Sequence, residues 1–181
     1  MTLERLVDLC KENKADAQRQ LYELYKSRLM GVCRRYCHSL EEAQDVLQEA
    51  FYKILTKIKD VDASKLEPWM MKITIHTAIN HYHDRIKKHN TVKLEELHSV
   101  VNDEEVILSD LTNEDILNAV NALPDGARIV FNLFAIEGYS HAEIAKNLQI
   151  SEGTSRSQFH YAKSLLKSRL KKTPTVHEKY A

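Results

Sequence analysis

A chain of 181 residues with four Gly, three Pro and balanced formal charge has room for one ordinary domain or two small ones. Turn formers are too scarce, and alternation too brief, for a β-rich fold. No apolar run approaches a membrane span and the N-terminus lacks the basic-then-apolar order of a secretory signal, so an all-α protein of the cytoplasm, without direct membrane insertion, is expected.

The charge is segregated along the chain. Residues 1–93 hold 17 Lys/Arg against 13 Asp/Glu, residues 94–127 hold no Lys/Arg against 9 Asp/Glu, and residues 128–181 hold 9 against 4. Three cysteines, Cys10, Cys33 and Cys37, do not make a disulfide framework. Cys33 and Cys37 stand one helical turn apart with His38 adjacent, but a fourth metal ligand is missing; small buried thiols are the favoured account.

In chain order, Thr2 caps a short helix with Leu3, Leu6, Val7 and Cys10 inward, and Asp16 opens a longer one reaching about Cys37. Its buried flank is predicted to carry Leu21, Leu24, Arg28, Val32 and Tyr36, with Leu29 and Cys33 beside it. Ser39 and Glu42 form a capping box for a third helix to about Ile58. That helix buries Ala43, Val46, Leu47, Ala50, Ile54, Leu55 and Ile58 and turns Asp45, Gln48, Glu49 and Tyr52 the other way. After a loop from Lys59 to Glu67, Pro68 takes a first helical position. The fourth helix ends in Asn80-His81-Tyr82-His83-Asp84-Arg85-Ile86-Lys87-Lys88-His89, polar, partly basic and interleaved with rings, a surface suited to nucleic acid.

The stretch 94–111 lacks periodicity and reads as an extended acidic linker. Thr112 with Asp115 caps the next helix, Pro124 ends it, and a further helix runs from about Asp125 to Glu137 before Gly138. Ser140 and Glu143 form a second capping box, and Ser151 caps the last long helix. Ala142, Ile144, Ala145 and Leu148 are predicted to face inward from the short helix, and Phe159, Ala162, Leu165, Leu166 and Leu170 from the long one. The pair reads as a helix-turn-helix whose second helix enters a DNA major groove. Its outer face carries Thr154, Ser155, Ser157, Gln158, His160 and Ser164, groups suited to base edges and phosphates, and the helix also holds Arg156, Lys163, Lys167 and Arg169. The turn carries Gln149 where Gly is common.

Two helical domains joined by an acidic tether, the second ending in a helix-turn-helix, resemble the extracytoplasmic-function (group IV) sigma factors of bacterial RNA polymerase. Three places carry the resemblance: Asp45-Val46-Leu47-Gln48-Glu49-Ala50-Phe51; Pro68-Trp69-Met70-Met71-Lys72-Ile73 with Ala78-Ile79-Asn80; and Leu123-Pro124 through Glu137-Gly138-Tyr139-Ser140, Glu143-Ile144-Ala145 and Ile150-Ser151-Glu152-Gly153-Thr154.

The resemblance implies a region 2 domain at 1–92, a linker at 93–111, a region 4 domain at 112–172 and a tail at 173–181. Asp45, Gln48, Glu49 and Phe51 would dock on core RNA polymerase. Asn80, His83, Arg85, Lys87 and Lys88 would approach the −10 element of promoter DNA, with the loop Asp60–Glu67 holding a flipped base. Thr154, Ser155, Arg156, Ser157, Gln158, His160, Tyr161 and Lys163 would read the −35 element. Replacing Arg156 or Lys163 is expected to weaken DNA binding broadly, and replacing Gln158 or His160 to change base preference. The acidic linker would run through basic channels of the polymerase, and an anti-sigma factor is a candidate partner. His76 departs from the usual Asn, His83-Asp84 from a common basic pair, and Gln158 and Tyr161 from Arg, which leaves the promoter sequence open.

No catalytic residue, metal or cofactor is expected, since no phosphate loop, nucleophile elbow or complete ligand set occurs, and Glu41, Glu42, Asp45 and Glu49 lack matching His ligands. The competing reading is a helix-turn-helix regulator acting without polymerase, either a dimeric repressor or response-regulator-like. A receiver domain would need alternating strands and helices.

Overall fold

Helix caps and apolar stripes settle most of the architecture. The computed structural model describes residues 1–89 and 113–170, so the linker at 93–111, the Thr112 cap and the tail at 173–181 lie outside the described residues. No strand occurs among the described residues, and the fold is all-α. The chain divides into two units, Met1–Asn90 and Thr91–Ala181, against an expected boundary after residue 92.

Unit 1 comprises α1 (Leu3–Lys11), α2 (Ala15–Tyr36), α3 (Leu40–Lys57) and α4 (Leu66–His89), with two 3₁₀ turns, Ile58–Asp60 and Ala63–Lys65, between the last two helices. Thr2 accepts from the Arg5 amide at 3.3 Å and Ser39 from the Glu42 amide at 3.0 Å, fixing the starts of α1 and α3. The Ser39 box is completed differently from the expected pattern. The Glu42 carboxylate accepts from the His38 amide at 2.6 Å.

The core of unit 1 joins Leu6, Val7 and Cys10 of α1 to Leu21, Tyr25, Leu29, Val32, Cys33 and Tyr36 of α2, Ala43, Val46, Leu47, Ala50 and Ile54 of α3, and Met70, Ile75, Ala78, Ile79 and Tyr82 of α4. Each fully buried Leu or Ile contributes about 1.5–3 kcal/mol, against about 1 kcal/mol for a cap. The caps therefore place the helix ends, while the buried faces hold the unit together. Leu24 is exposed where the flank prediction put it inside. The i, i+4 row from Leu21 runs through Tyr25 and Leu29, leaving Leu24 and Arg28 outside it. In α4, Thr74 and Thr77 enter the core by returning their hydroxyls to the Met70 and Ile73 carbonyls, both at 2.9 Å, which satisfies the buried donors.

Unit 2 comprises α5 (Asn113–Asn121), α6 (Asp125–Phe131), α7 (His141–Leu148) and α8 (Glu152–Leu170). The helix expected from Asp125 to Glu137 widens into a π turn over Asn132–Ile136. Gly138, at φ 76°, then reverses the chain in a conformation that costs a residue with a β-carbon. Val120, Leu123, Ala127, Ala162 and Leu166 form the core between α5, α6 and α8, with Phe131, Tyr161 and Leu165 packed at its edge. Arg128 is buried too; it donates to the Asn121 carbonyl at the end of α5 (3.3 Å) and to the Asp125 carboxylate (3.2 Å).

All three cysteines are buried and none is joined in a disulfide. Burial pushes the Cys33 thiol up to about 12, so it stays protonated and unreactive at neutral pH. No cluster able to hold a metal ion occurs among the described residues, and none of the described helices is long and apolar enough to cross a membrane.

Candidate nucleic-acid interface

The turn between α7 and α8 is built by local chemistry. Ser140 and Glu143 complete a reciprocal capping box, Ser140 accepting from the Glu143 amide (3.3 Å) and Glu143 from the Ser140 amide (2.9 Å). Gln149 closes α7 in the left-handed region at φ 56°. Ser151 then accepts from the Thr154 amide at 2.9 Å and starts α8. Ile144, Ala145 and Leu148 are buried, whereas Ala142, expected on the inner face, is exposed. It occupies the second position of the helix, on the side away from Ile144 and Leu148.

A residue not singled out beforehand ties the two helices together. His141 Nδ1 lies 2.9 Å from the fully buried Ser155 hydroxyl, and its ring stacks on Phe134 at 4.4 Å and 15°. Phe159 of α8 closes the group, 4.5 Å from Phe134 and 6.0 Å from His141. The signal was present in the sequence: an aromatic-capable ring at the first position of α7, with the wide turn supplying Phe134. Burial holds the His141 imidazole below its ordinary 6.5, Arg156 and His160 push the same way, and Glu152 opposes them.

That direction has a consequence for stability. On unfolding, the ring becomes free to protonate near its ordinary value, while the folded ring resists. The contribution is full above about pH 6.5 and is lost as pH falls below it. His141→Phe is expected to remove this acid sensitivity from unit 2 while costing about 1–3 kcal/mol for the stranded Ser155 hydroxyl. Amide resonances of α7 and α8 followed through thermal unfolding across acid to neutral pH check this, because the one Trp reports on unit 1. Parallel pH slopes in wild type and variant would contradict it. His76 in unit 1 is likewise held low, by burial and then by Lys72.

The expected −35 residues separate into two groups. Arg156, His160 and Lys163 are exposed, and Thr154 and Ser157 half-buried. Ser155 and Gln158 are buried, and Tyr161 packs against the core of unit 2. Ser155 and Gln158, one i+3 step apart on the inner side of α8, are polar by chemistry and buried by position. Gln158 therefore lies on the buried side of the helix, away from any base it was expected to read, while His160 is exposed. Arg156 pairs with Glu152 at 2.8 Å, and the Lys163 ammonium lies 6.0 Å from the Phe159 ring.

In unit 1, Asp45, Gln48 and Glu49 are exposed on α3, with Tyr52 70% exposed on the same helix. Glu49 is paired with Lys53 at 2.6 Å. Phe51, expected at the docking surface, is buried in an edge contact with Tyr22 at 5.0 Å and 77°. It falls on the row of Leu47 and Ile54 rather than that of Gln48 and Tyr52. Asn80 and Lys87 are exposed, His83 is half-buried 5.8 Å from the Tyr82 ring, and the Lys88 side chain lies outside the described residues.

Arg85 is engaged within the protein. It donates to Glu42 at 2.9 Å, and its guanidinium sits 5.8 Å from the Tyr82 ring. His81 Nδ1 stands 3.2 Å from the same carboxylate, in ion-pair reach but off hydrogen-bonding angle. A basic residue beside ring-bearing neighbours looked like a DNA contact; the missing information was that α4 returns its far end to the start of α3.

Two helical units, one with a capped helix-turn-helix and an outward basic helix, define a DNA-binding protein of the transcription machinery. The Sigma-70 region 2 family matches residues 21–87 and the Sigma-70 region 4 family residues 113–166, between them roughly two thirds of the chain. The chain is 29% identical over 154 residues to the RNA polymerase sigma-H factor of Pseudomonas aeruginosa, covering 78% of this chain and 80% of that one. It is 26% identical to the extracytoplasmic-function sigma factor SigW of Bacillus subtilis, covering 94% and 98%. Among solved structures, the fold resembles the sigma factor RpoE in complex with the anti-sigma factor NepR from Bartonella quintana (TM-score 0.51, 19% identity, 86% and 98% covered). It also resembles CnrH in complex with the cytosolic domain of CnrY (0.50, 18%, 96% and 100%). The chain belongs to the extracytoplasmic-function sigma factors and directs RNA polymerase to promoters.

Proposed function

We propose a division of labour between the two units. Unit 1 docks on core RNA polymerase through the exposed Asp45, Gln48 and Glu49 of α3 and approaches the −10 element with Asn80, His83, Lys87 and Lys88. Unit 2 reads the −35 element with Thr154, Arg156, Ser157, His160 and Lys163 of α8. Arg85 and Phe51 act from beneath these surfaces, and the acidic linker spans between the two readers. Chemistry belongs to the polymerase: the chain itself is non-catalytic, uses no cofactor and works in the cytoplasm. An anti-sigma factor of the kind seen with RpoE would control its access to polymerase.

The observation that carries the reading is the exposed basic row Arg156, His160 and Lys163 on a capped recognition helix, in a chain that also holds a region 2 unit. A single helix-turn-helix buries only about 600–1,000 Å² of protein surface on DNA, and the chain has no net charge to draw it there. Polymerase supplies the missing affinity by holding both readers at one promoter, a gain in effective concentration.

Run-off transcription with core polymerase over a randomised promoter library tests this, alongside binding in increasing salt. Lys163→Ala is expected to weaken binding about evenly across sequences and to lower the salt slope by about one. Tight, dimeric operator binding by the chain alone, with no response to polymerase, would overturn the reading.

A further inference from the structure

The row Glu152, Arg156, His160, Lys163 and Lys167 runs along one side of α8 at steps of four and three, so one carboxylate heads an otherwise basic row. Glu152 and Arg156 are both about half exposed and joined at 2.8 Å, Arg156 donating to Glu152 Oε2. On a face that touched only phosphate this carboxylate would be penalised, because like charges repel in proportion to their closeness. Its position is instead that of the first turn of a recognition helix, where side chains meet base edges.

The neighbouring hydroxyls of that turn each have a partner within the protein, so Thr154 and Ser157 offer DNA only their remaining capacity. The Ser151 and Thr154 hydroxyls lie 2.9 Å apart and bond to each other, Ser155 points inward to His141, and Ser157 donates to the Thr154 carbonyl at 3.0 Å. Gly153 beside Glu152 adds no side chain, and a β-carbon there would meet nothing closer than Ser151 Oγ at 3.5 Å. A carboxylate accepts up to four hydrogen bonds, so the bond from Arg156 orients Glu152 without saturating it.

We propose that Glu152, held by Arg156, is a specificity-determining residue for the upstream promoter element. Its carboxylate accepts from the N4 amine of a cytosine, while the Arg156 guanidinium, which the sequence suggested would act broadly, donates to guanine O6 and N7 at the same or the adjacent pair. The two side chains are preorganised for each other, which lowers the ordering cost on binding. The inference rests on reading unit 2 as the −35 reader.

Selection from promoters randomised across the upstream element, using polymerase holoenzyme, tests it. Wild type is expected to prefer cytosine at one position. Glu152→Gln is expected to move that preference to adenine by about ten-fold, since an amide pairs with adenine N6 and N7, and Glu152→Ala to erase it. Lys163→Ala is the comparison, expected to lower all sequences alike. Thermal unfolding of each variant confirms that the exposed substitutions leave unit 2 folded. Identical base profiles for wild type and both Glu152 variants would overturn the proposal while leaving the −35 reading intact. A wild type indifferent to the whole upstream element would overturn the −35 reading, and this proposal with it.

Discussion

Arg128→Ala is expected to cost unit 2 about 3–5 kcal/mol, the range for removing one member of a buried charged pair. Arg128 has 1% of its side chain exposed, while its partner Asp125 keeps 31%, so Asp125 can be rehydrated but the Asn121 carbonyl at the end of α5 loses its donor. Arg128→Met keeps the apolar stem and removes only the head, and its expected cost is nearer 1–3 kcal/mol. The difference between the two variants separates packing from capping. Stability runs at about 0.05–0.15 kcal/mol per residue, so a unit as small as this one holds little more than the alanine variant loses, and that variant should open α5 through α8 for a substantial share of the time and sharply lower promoter-specific transcription. Urea unfolding followed by amide exchange in α6 and α8 reads the result; a loss below about 1 kcal/mol for alanine would show that the guanidinium does not hold α5 to α6.

The second large effect concerns unit 1. Asp45→Lys with Gln48→Lys reverses the charge of the exposed α3 edge without touching its buried row of Ala43, Val46, Leu47 and Ala50. Like-charge juxtaposition at an interface costs several kcal/mol, so affinity for core polymerase is expected to fall by about a hundred-fold or more. The Trp69 signal, inside unit 1, should unfold at an unchanged temperature. Competition between the variant and wild type for core polymerase measures the change. Equal competition would place the docking surface on a different face.

Local signals in the sequence translated well where one short-range bond decides the outcome. Ser140 with Glu143, the Thr2 and Ser151 caps and the strained Gln149 turn are each set by groups within a few residues. The sequence was less legible where a residue's fate depends on a distant partner. Arg85 looked like a DNA contact until α4 brought it to Glu42, forty-three positions away in the chain. Ser155 and Gln158 looked like base readers until packing against α7 and α6 turned their side of α8 inward. Arg128 carried no signal of its own in the sequence, because a buried guanidinium needs the end of another helix to justify it. Charge patterning alone could not tell an ion pair that closes a fold from one that waits for DNA.

The wide turn at Asn132–Ile136 has a further bearing on how such a chain can change. Because it inserts one residue into what would otherwise be a continuous α-helix, it rotates everything after it by about a hundred degrees. Ile129 and Val130 thus serve the core while Phe134 serves as the bed for His141. A codon lost or gained in this segment would leave the flanking side chains chemically the same and still swing the aromatic bed away from the ring it supports. Here the number of residues in the turn matters to the site as much as their identity.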